Sequence, residues 1–413
     1  LNRNTTGQST VGVAPTAHGG TPAPERHKGV TGPKGFKAAG VAAGIKESGA
    51  LDLALVVNEG PGQAAAGVFT TNQVKAAPVL WSQQVLKERK LHAVVLNSGG
   101  ANACTGPEGF QDTHATAEKV AEVLDVGAIE VAVCSTGLIG ERLPMDALKA
   151  GVEKAAQELD ATDLSGLNAA TAVMTTDTHP KQSWQDHPDG WSVGGFVKGA
   201  GMLSPNMATM LSVITTDAVI DGDALDAALR ATTAKTYDRL DVDGGTSTND
   251  TVLVLASGAS GVTPTAEQFA DVLTAVAKDL VKQLQGDAEG VTKEVAITVN
   301  GALTEAEAVV VAKTVAEDNL VKTALFGSDP NWGRIAMAVG RSQATVDQHK
   351  LGIAINGVTL FADGHKAADR SEADLSGRDV DIVIDLNLGD GTATVLTTDL
   401  SHGYVEENSA YSS

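Results

Sequence analysis

The chain has 413 residues, 42% of them hydrophobic but only 3% aromatic, and a formal net charge of −21 at pH 7. That length suffices for two or three domain-sized units around a large core of Ala, Val, Leu and Ile. The acidity opposes binding to nucleic acid or to an anionic membrane surface. Cys104 and Cys134 form no CxxC pair, so neither a zinc site nor a disulfide framework is expected, and two reduced thiols fit a cytoplasmic protein. No apolar run approaches the ~18 residues of a membrane span.

Residues 1–34 are rich in Thr, Gly, Pro and Ser, without apolar periodicity, and read as a disordered tail. The pattern turns globular at Gly35. Residues 51–57 alternate like a strand, and residues 64–70 read as its partner across a Gly/Pro turn. Residues 92–96 form a short buried strand that runs into Asn97-Ser-Gly-Gly-Ala-Asn102. A helix over 111–125 and a strand over 130–134, ending in Ser135-Thr136-Gly137, follow. Residues 144–158 have helical spacing, with Leu148, Val152 and Ala156 on one face.

The second half repeats the mixture. Residues 209–219 are strand-like, 223–240 helical and 251–256 a strand. Residues 264–285 form a long helix whose apolar face carries Phe269, Val272, Leu273, Val276, Leu280 and Leu284. A strand over 295–299 and a helix over 304–317 come next. Residues 381–386 and 392–396 flank Gly389-Asp-Gly391, a hairpin signal. The class is therefore α/β or α+β, with sheet in both halves. There is no P-loop, no GxGxxG after a strand, no HExxH and no GxSxG elbow. Any chemistry should be metal-free and rest on Thr, Ser, Lys or carboxylates.

The most informative stretch is Lys198-Gly-Ala-Gly-Met-Leu-Ser-Pro-Asn-Met-Ala-Thr209-Met-Leu. A threonine hydroxyl is a weak nucleophile without an adjacent base. Cleavage before Thr209 would create that base on the same residue, since an α-amine titrates near ~7.7–8.0. Gly194, Gly195, Gly199 and Gly201 would allow the bend that attack on the preceding carbonyl needs, and Ala208 leaves that carbonyl uncrowded. Taken alone, the pattern favours a β-branched residue opening a buried strand, and Lys198 reads as a solvated loop lysine. Thr136 and Gly137, in a turn after an apolar strand, have the equipment of an oxyanion hole or simply of a turn. Thr175-Thr176-Asp177, residues 241–250 and residues 328–334 have the composition of site loops, with capping and turn roles the commoner reading. Glu289 reads as a carboxylate at a helix C-terminus, where the dipole disfavours it.

Residues 198–211 resemble the ornithine acetyltransferase family, the glutamate N-acetyltransferases of arginine biosynthesis, whose hallmark is a Lys-Gly-Ala-Gly-Met segment leading to an Ala-Thr junction. Residues 97–104, 134–140, 174–177, 247–250, 287–293, 320–334 and 397–413 are similar to the family as well, so the resemblance runs from about Gly35 to the C-terminus. It implies a layered α/β sandwich, not a doubly wound nucleotide fold, and self-cleavage between Ala208 and Thr209. Residues 35–208, after the tail, would belong to an α chain and 209–413 would form a β chain, assembled as α2β2. It further implies Thr209 as the acetyl-accepting nucleophile and Thr136 with Gly137 as the oxyanion hole. Thr175, Lys198, Thr209, Glu289, Asn408 and Ser413 would bind the amino-acid substrates N-acetylornithine and glutamate. No cofactor or metal is implied, and acetyl-CoA as a further donor stays open. So do a related N-terminal-nucleophile hydrolase, a paralogue for other acyl-amino acids and a non-enzymatic binding protein.

Overall fold

The computed structural model describes residues 28–203 and 210–410. Four strands, Phe36–Val41, Leu53–Asn58, Ala93–Gly100 and Val131–Leu138, form a sheet in that spatial order. Five more form a second sheet, in the order Ala64–Phe69, Thr251–Ala256, Leu211–Thr216, Trp191–Lys198 and Lys181–His187. The two sheets stack. Leu53, Leu55 and Val57 of the first share one core with Val213, Leu253 and Leu255 of the second. Val252 and Val254 alternate to the other face and pack with Leu225, Phe269 and Leu273, which belong to the helices Gly222–Thr233 and Ala266–Gly286. Helices Met145–Gln157 and Asp163–Ala172 cover the first sheet. The result is a helix–sheet–sheet–helix sandwich, and the period-two alternation of apolar residues along its strands is what fills both sides.

A seven-stranded sheet, in which Glu294–Ala302 lies between Asp379–Asp385 and Gly391–Thr398, makes a separate core with the helices Glu305–Ala316 and Trp332–Gly340. Beyond it the helix His402–Ala410 returns toward the sandwich, where the Tyr404 hydroxyl donates to Asp243 at 3.2 Å.

The expected mixed α/β class, with sheet in both halves, is observed, and several local expectations are corrected. Residues 28–34 do not belong to a tail: Val30 is buried, its carbonyl accepts from Thr215 Oγ1 at 2.8 Å, and the Lys34 amide donates to Asp217 at 3.0 Å. Residues 1–27 lie outside the described residues. The strands Leu53–Asn58 and Ala64–Phe69 are not a hairpin but lie in different sheets. The crossing between them is tied down by Asn58, whose Nδ2 reaches the carbonyls of Gly62 and Ala256 at 3.0 and 3.3 Å. Nor do Asp379–Asp385 and Gly391–Thr398 pair: both flank Glu294–Ala302, the first parallel and the second antiparallel to it. Gly194 and Gly195 are in-strand, opposite Thr215 and Ile214, so they give the chain no loose bend. The helix expected over 223–240 stops at Thr233, where threonines 232, 233 and 236 turn their hydroxyls onto backbone carbonyls or a neighbouring helix.

Candidate active site

The chain leaves the five-stranded sheet at Lys198 and re-enters it at Leu211, and these two residues are cross-strand partners. Everything between is therefore an excursion whose two ends are held side by side. At its outgoing end, the amides of Met202 and Leu203 both donate to the Asp243 carboxylate, at 2.7 and 2.9 Å. At its returning end, the Met210 amide donates to Asp250 Oδ1 at 3.0 Å. Ala208 and Thr209, the expected cleavage site and nucleophile, lie outside the described residues, as does Ser413.

Beside these ends one cleft gathers Thr136, Gly137, Thr175, Lys198, Glu289 and Asn408, residues drawn from five stretches of sequence. Lys198, expected as solvated, is 1% exposed. Its ammonium donates to Thr136 Oγ1 at 2.9 Å and to Thr175 Oγ1 at 3.0 Å. Burial pushes its pKa below the ordinary lysine value, against the pull of the Asp177 charge. Because Thr136 accepts from the lysine, its own O–H proton remains to be donated elsewhere. Gly137 follows at φ +125°, a conformation that side chains rarely adopt, with its α-carbon so close to the facing strand that a Cβ would lie 2.6 Å from the Gly100 nitrogen. Only glycine lets the chain turn there.

Glu289 sits three residues beyond the helix Ala266–Gly286, not on its last turn. Its backbone amide donates to the Ala200 carbonyl at 2.9 Å. Its carboxylate receives Thr176 Oγ1 on one oxygen and Asn408 Nδ2 on the other, both at 2.8 Å. A second layer fixes these groups. Asp177 accepts the amides of Thr175 and Gly199 at 3.0 and 2.6 Å and pairs with the buried Lys181 at 2.6 Å. Lys181 in turn pairs with Asp287 at 2.5 Å, two residues from Glu289. Burial alone would raise the Asp177 pKa. The Lys181 and Lys198 charges and the donated hydrogen bonds outweigh it and hold the carboxyl well below the usual carboxylate range.

Sequence reasoning singled out Asp177 only as part of a polar segment and gave no role to Thr176, Lys181 or Asn249. Asn249 donates to the carbonyls of Ala101 and Ser135 at 2.7 and 2.8 Å and so ties the 247–249 turn to the strand that carries Thr136. The unbroken polar run Ser247-Thr-Asn-Asp250 before an apolar strand was the available signal. Cys134, on the same strand as Thr136, is buried, which pushes its thiol pKa up to about 12 and keeps it protonated. Among the described residues, no three His, Cys, Asp or Glu side chains are grouped to hold a metal ion, and no helix is long and apolar enough to cross a membrane.

Two hydroxyls aligned on a buried amine, a glycine turn and a carboxylate held by two donors suit a carbonyl that becomes an oxyanion next to a bound ammonium. Such a cleft suits an enzyme that transfers an acyl group. The chain belongs to the ArgJ family, whose model matches residues 37–413. It is 63% identical over 383 residues to the arginine biosynthesis bifunctional protein ArgJ of Mycolicibacterium paratuberculosis, covering 92% of this chain and 95% of that protein. To the protein of the same name from Streptomyces coelicolor it is 59% identical over 378 residues, covering 92% and 98%. Among solved structures, a chain of the ornithine acetyltransferase from Mycobacterium tuberculosis, complexed with ornithine, is 65% identical, with a TM-score of 0.44, covering 45% of this chain and 97% of that one.

Proposed function

We propose that the chain is a glutamate N-acetyltransferase of arginine biosynthesis, moving an acetyl group from N2-acetylornithine to glutamate through an ester on Thr209. Membership of the ArgJ family supports the reaction class. The observation that carries the residue assignment is the cluster of Lys198, Thr136, Thr175 and Glu289 in one cleft at the mouth of the 199–210 excursion.

Processing comes first. The Thr209 hydroxyl attacks the Ala208 carbonyl, the peptide nitrogen leaves as the new α-amine of Thr209, and water hydrolyses the resulting ester to free the Ala208 carboxylate. The five-stranded sheet supports continued association of the two products. Trp191–Lys198 pairs with Leu211–Thr216, and Ala64–Phe69 with Thr251–Ala256, so each product supplies strands to the same sheet. The reading takes an α2β2 assembly from the family resemblance and includes a cytoplasmic location.

In turnover the Thr209 α-amine takes the hydroxyl proton as the oxygen attacks the acetyl carbonyl of N-acetylornithine. The tetrahedral oxyanion is received by the Thr136 hydroxyl and the Gly137 amide. Collapse breaks the C–N bond and ornithine leaves with the proton. The glutamate amine then attacks the acetyl ester, the oxyanion forms at the same donors, and N-acetylglutamate departs as the proton returns to Thr209 Oγ. Glu289, with its two oxygens fixed by Thr176 and Asn408, is the partner for a substrate ammonium, and Thr175 and Lys198 line the acetyl end.

The test is to incubate pure protein with N-acetylornithine, with and without glutamate, and to weigh the polypeptides. Two fragments meeting at Ala208 and Thr209, and N-acetylglutamate formed in step with ornithine, are expected. Acetate release without dependence on glutamate would instead identify a hydrolase, and one intact polypeptide would oppose the mechanism. A parallel incubation of acetyl-CoA with glutamate shows whether a second donor is used.

A further inference from the structure

Asp250 stands immediately before the strand Thr251–Ala256, which runs parallel to Leu211–Thr216 with Thr251 opposite Leu211. Its carboxyl is completely buried. Oδ1 takes the Met210 amide at 3.0 Å, and the next rung of the ladder is Thr251 N to Met210 O at 3.1 Å. The amide held by Oδ1 is the one that joins residues 209 and 210. Oδ2 is buried with no hydrogen-bond partner among the described residues. The backbone around it is locked: Asp250 O accepts from Thr70 N at 2.9 Å, and Thr248 O accepts from Ala76 N at 3.0 Å. Ser247, Thr248 and Asn249, the three residues before it, line the cleft.

A serine or threonine side chain could cap a parallel ladder at far lower cost, because a buried carboxyl with one idle oxygen is expensive. We propose that Asp250 is a positioning residue for the nucleophile: its carboxyl grips the peptide unit that follows residue 209 and so fixes where the hydroxyl of that residue stands relative to Thr136. The proposal rests on the reading of Thr209 as nucleophile and adds a residue that the reading does not use. It needs no carboxylate charge. Burial raises the Asp250 pKa well above the ordinary aspartate value, opposed by the Met210 amide and by the Lys198 charge. In its neutral form the group keeps Oδ1 as an acceptor and makes Oδ2 a donor, and an asparagine side chain reproduces that pair.

The experiment compares Asp250→Asn, Asp250→Ala and Asp250→Glu in the full chain for cleavage half-time, kcat and KM. Displacing a nucleophile by an ångström costs roughly 10²-fold, so Ala and Glu should slow both cleavage and kcat by about that much. Their KM values should stay within about threefold, and Asn should recover most of the lost rate. Where Ala fails to fold, Glu against Asn decides. Cleavage and kcat at the wild-type level in Asp250→Ala, or a folded Asp250→Asn as slow as Asp250→Glu, overturns the proposal. Thr209→Ala distinguishes the two ideas: full acetyl transfer in that variant sinks the nucleophile and with it Asp250, whereas an inert Thr209→Ala beside a normal Asp250→Ala sinks Asp250 alone.

Discussion

Thr136→Val tests the assigned chemistry most directly. The substitution keeps the shape and β-branching of the side chain and removes one oxygen. Thr136 is 3% exposed, and that oxygen accepts from Lys198 Nζ at 2.9 Å and has one proton left to give. If the proton goes to the oxyanion, its loss should raise the barrier by ~2.7–4 kcal/mol, or 10²–10³ in kcat. The same donor would serve the tetrahedral intermediate of self-cleavage, so processing should slow by a similar factor. A separate cost falls on stability, because Lys198 keeps Thr175 but loses one of its two hydroxyl acceptors inside the protein, worth about 1–3 kcal/mol. Thr136→Ser retains the hydroxyl and should restore both rates. The assays are a denaturing-gel time course after synthesis and steady-state acetyl transfer, with urea melts to separate rate from stability. A folded Thr136→Val that cuts and turns over within about threefold of wild type would refute the oxyanion assignment, since that is far less than one donor is worth.

Lys181→Met strands Asp177 and Asp287 without the cation between them. The expected loss is about 3–5 kcal/mol in urea unfolding, and a change below about 0.5 kcal/mol would contradict the account, being what ordinary surface substitutions give. Asp177 predicts an acid limit. A carboxyl whose pKa is lower folded than unfolded contributes stability that is complete above the unfolded value of ~3.9 and is lost as pH falls through the folded one. Wild type should therefore lose stability steeply below about pH 4, and Asp177→Asn less steeply. Equal slopes would remove Asp177 from the explanation. Gly201→Ala would place a Cβ 2.2 Å from Glu289 Oε2, the far end of a long side chain that can turn away by leaving its partners. The carboxylate should swing off Thr176 or Asn408 with little cost to folding. Losing a hydrogen bond to a charged group, ~1.5–3 kcal/mol, should raise substrate KM at least about tenfold, and an unchanged KM would argue against Glu289 as a ligand.

What could be read in advance follows from how local each signal is. The strand Thr251–Ala256 was legible to the residue, because a continuous apolar run between a polar turn and a serine has few other fates. The two misread hairpins failed differently: the arms 53–58 and 64–69 are carried into different sheets, whereas the second pair is split by a strand. Gly389-Asp-Gly391 marks a reversal, and the chain does reverse, but residues 386–390 carry it across two strand spacings of ~4.8 Å each, within easy reach of five residues. A third strand, supplied from residue 294 onward, fills the gap, and no turn signal encodes an inserted neighbour. Lys198 was misjudged alone because lysines are mostly exposed. Its burial depends on Thr136 and Thr175, 62 and 23 residues away in sequence. The resemblance in residues 198–211 carried those distant partners where single-residue arguments could not.

The chain Asp177–Lys181–Asp287 explains why these distant pieces hold one geometry. A buried ion triad seldom adds net stability over a well-packed apolar one, so stability is a poor reason for keeping it. Its connections are positional instead. Asp177 fixes the amides of Thr175 and Gly199, on either side of the lysine that aligns the hydroxyls. Asp287 accepts the Thr178 amide and begins the turn that delivers Glu289. One lysine thus sets the spacing between Thr175 with Lys198 and Glu289, which are the acyl and ammonium ends of the cleft in the proposed reaction. In a reaction that must accept two amino acids in turn at one ester, that spacing is the quantity that has to be constant.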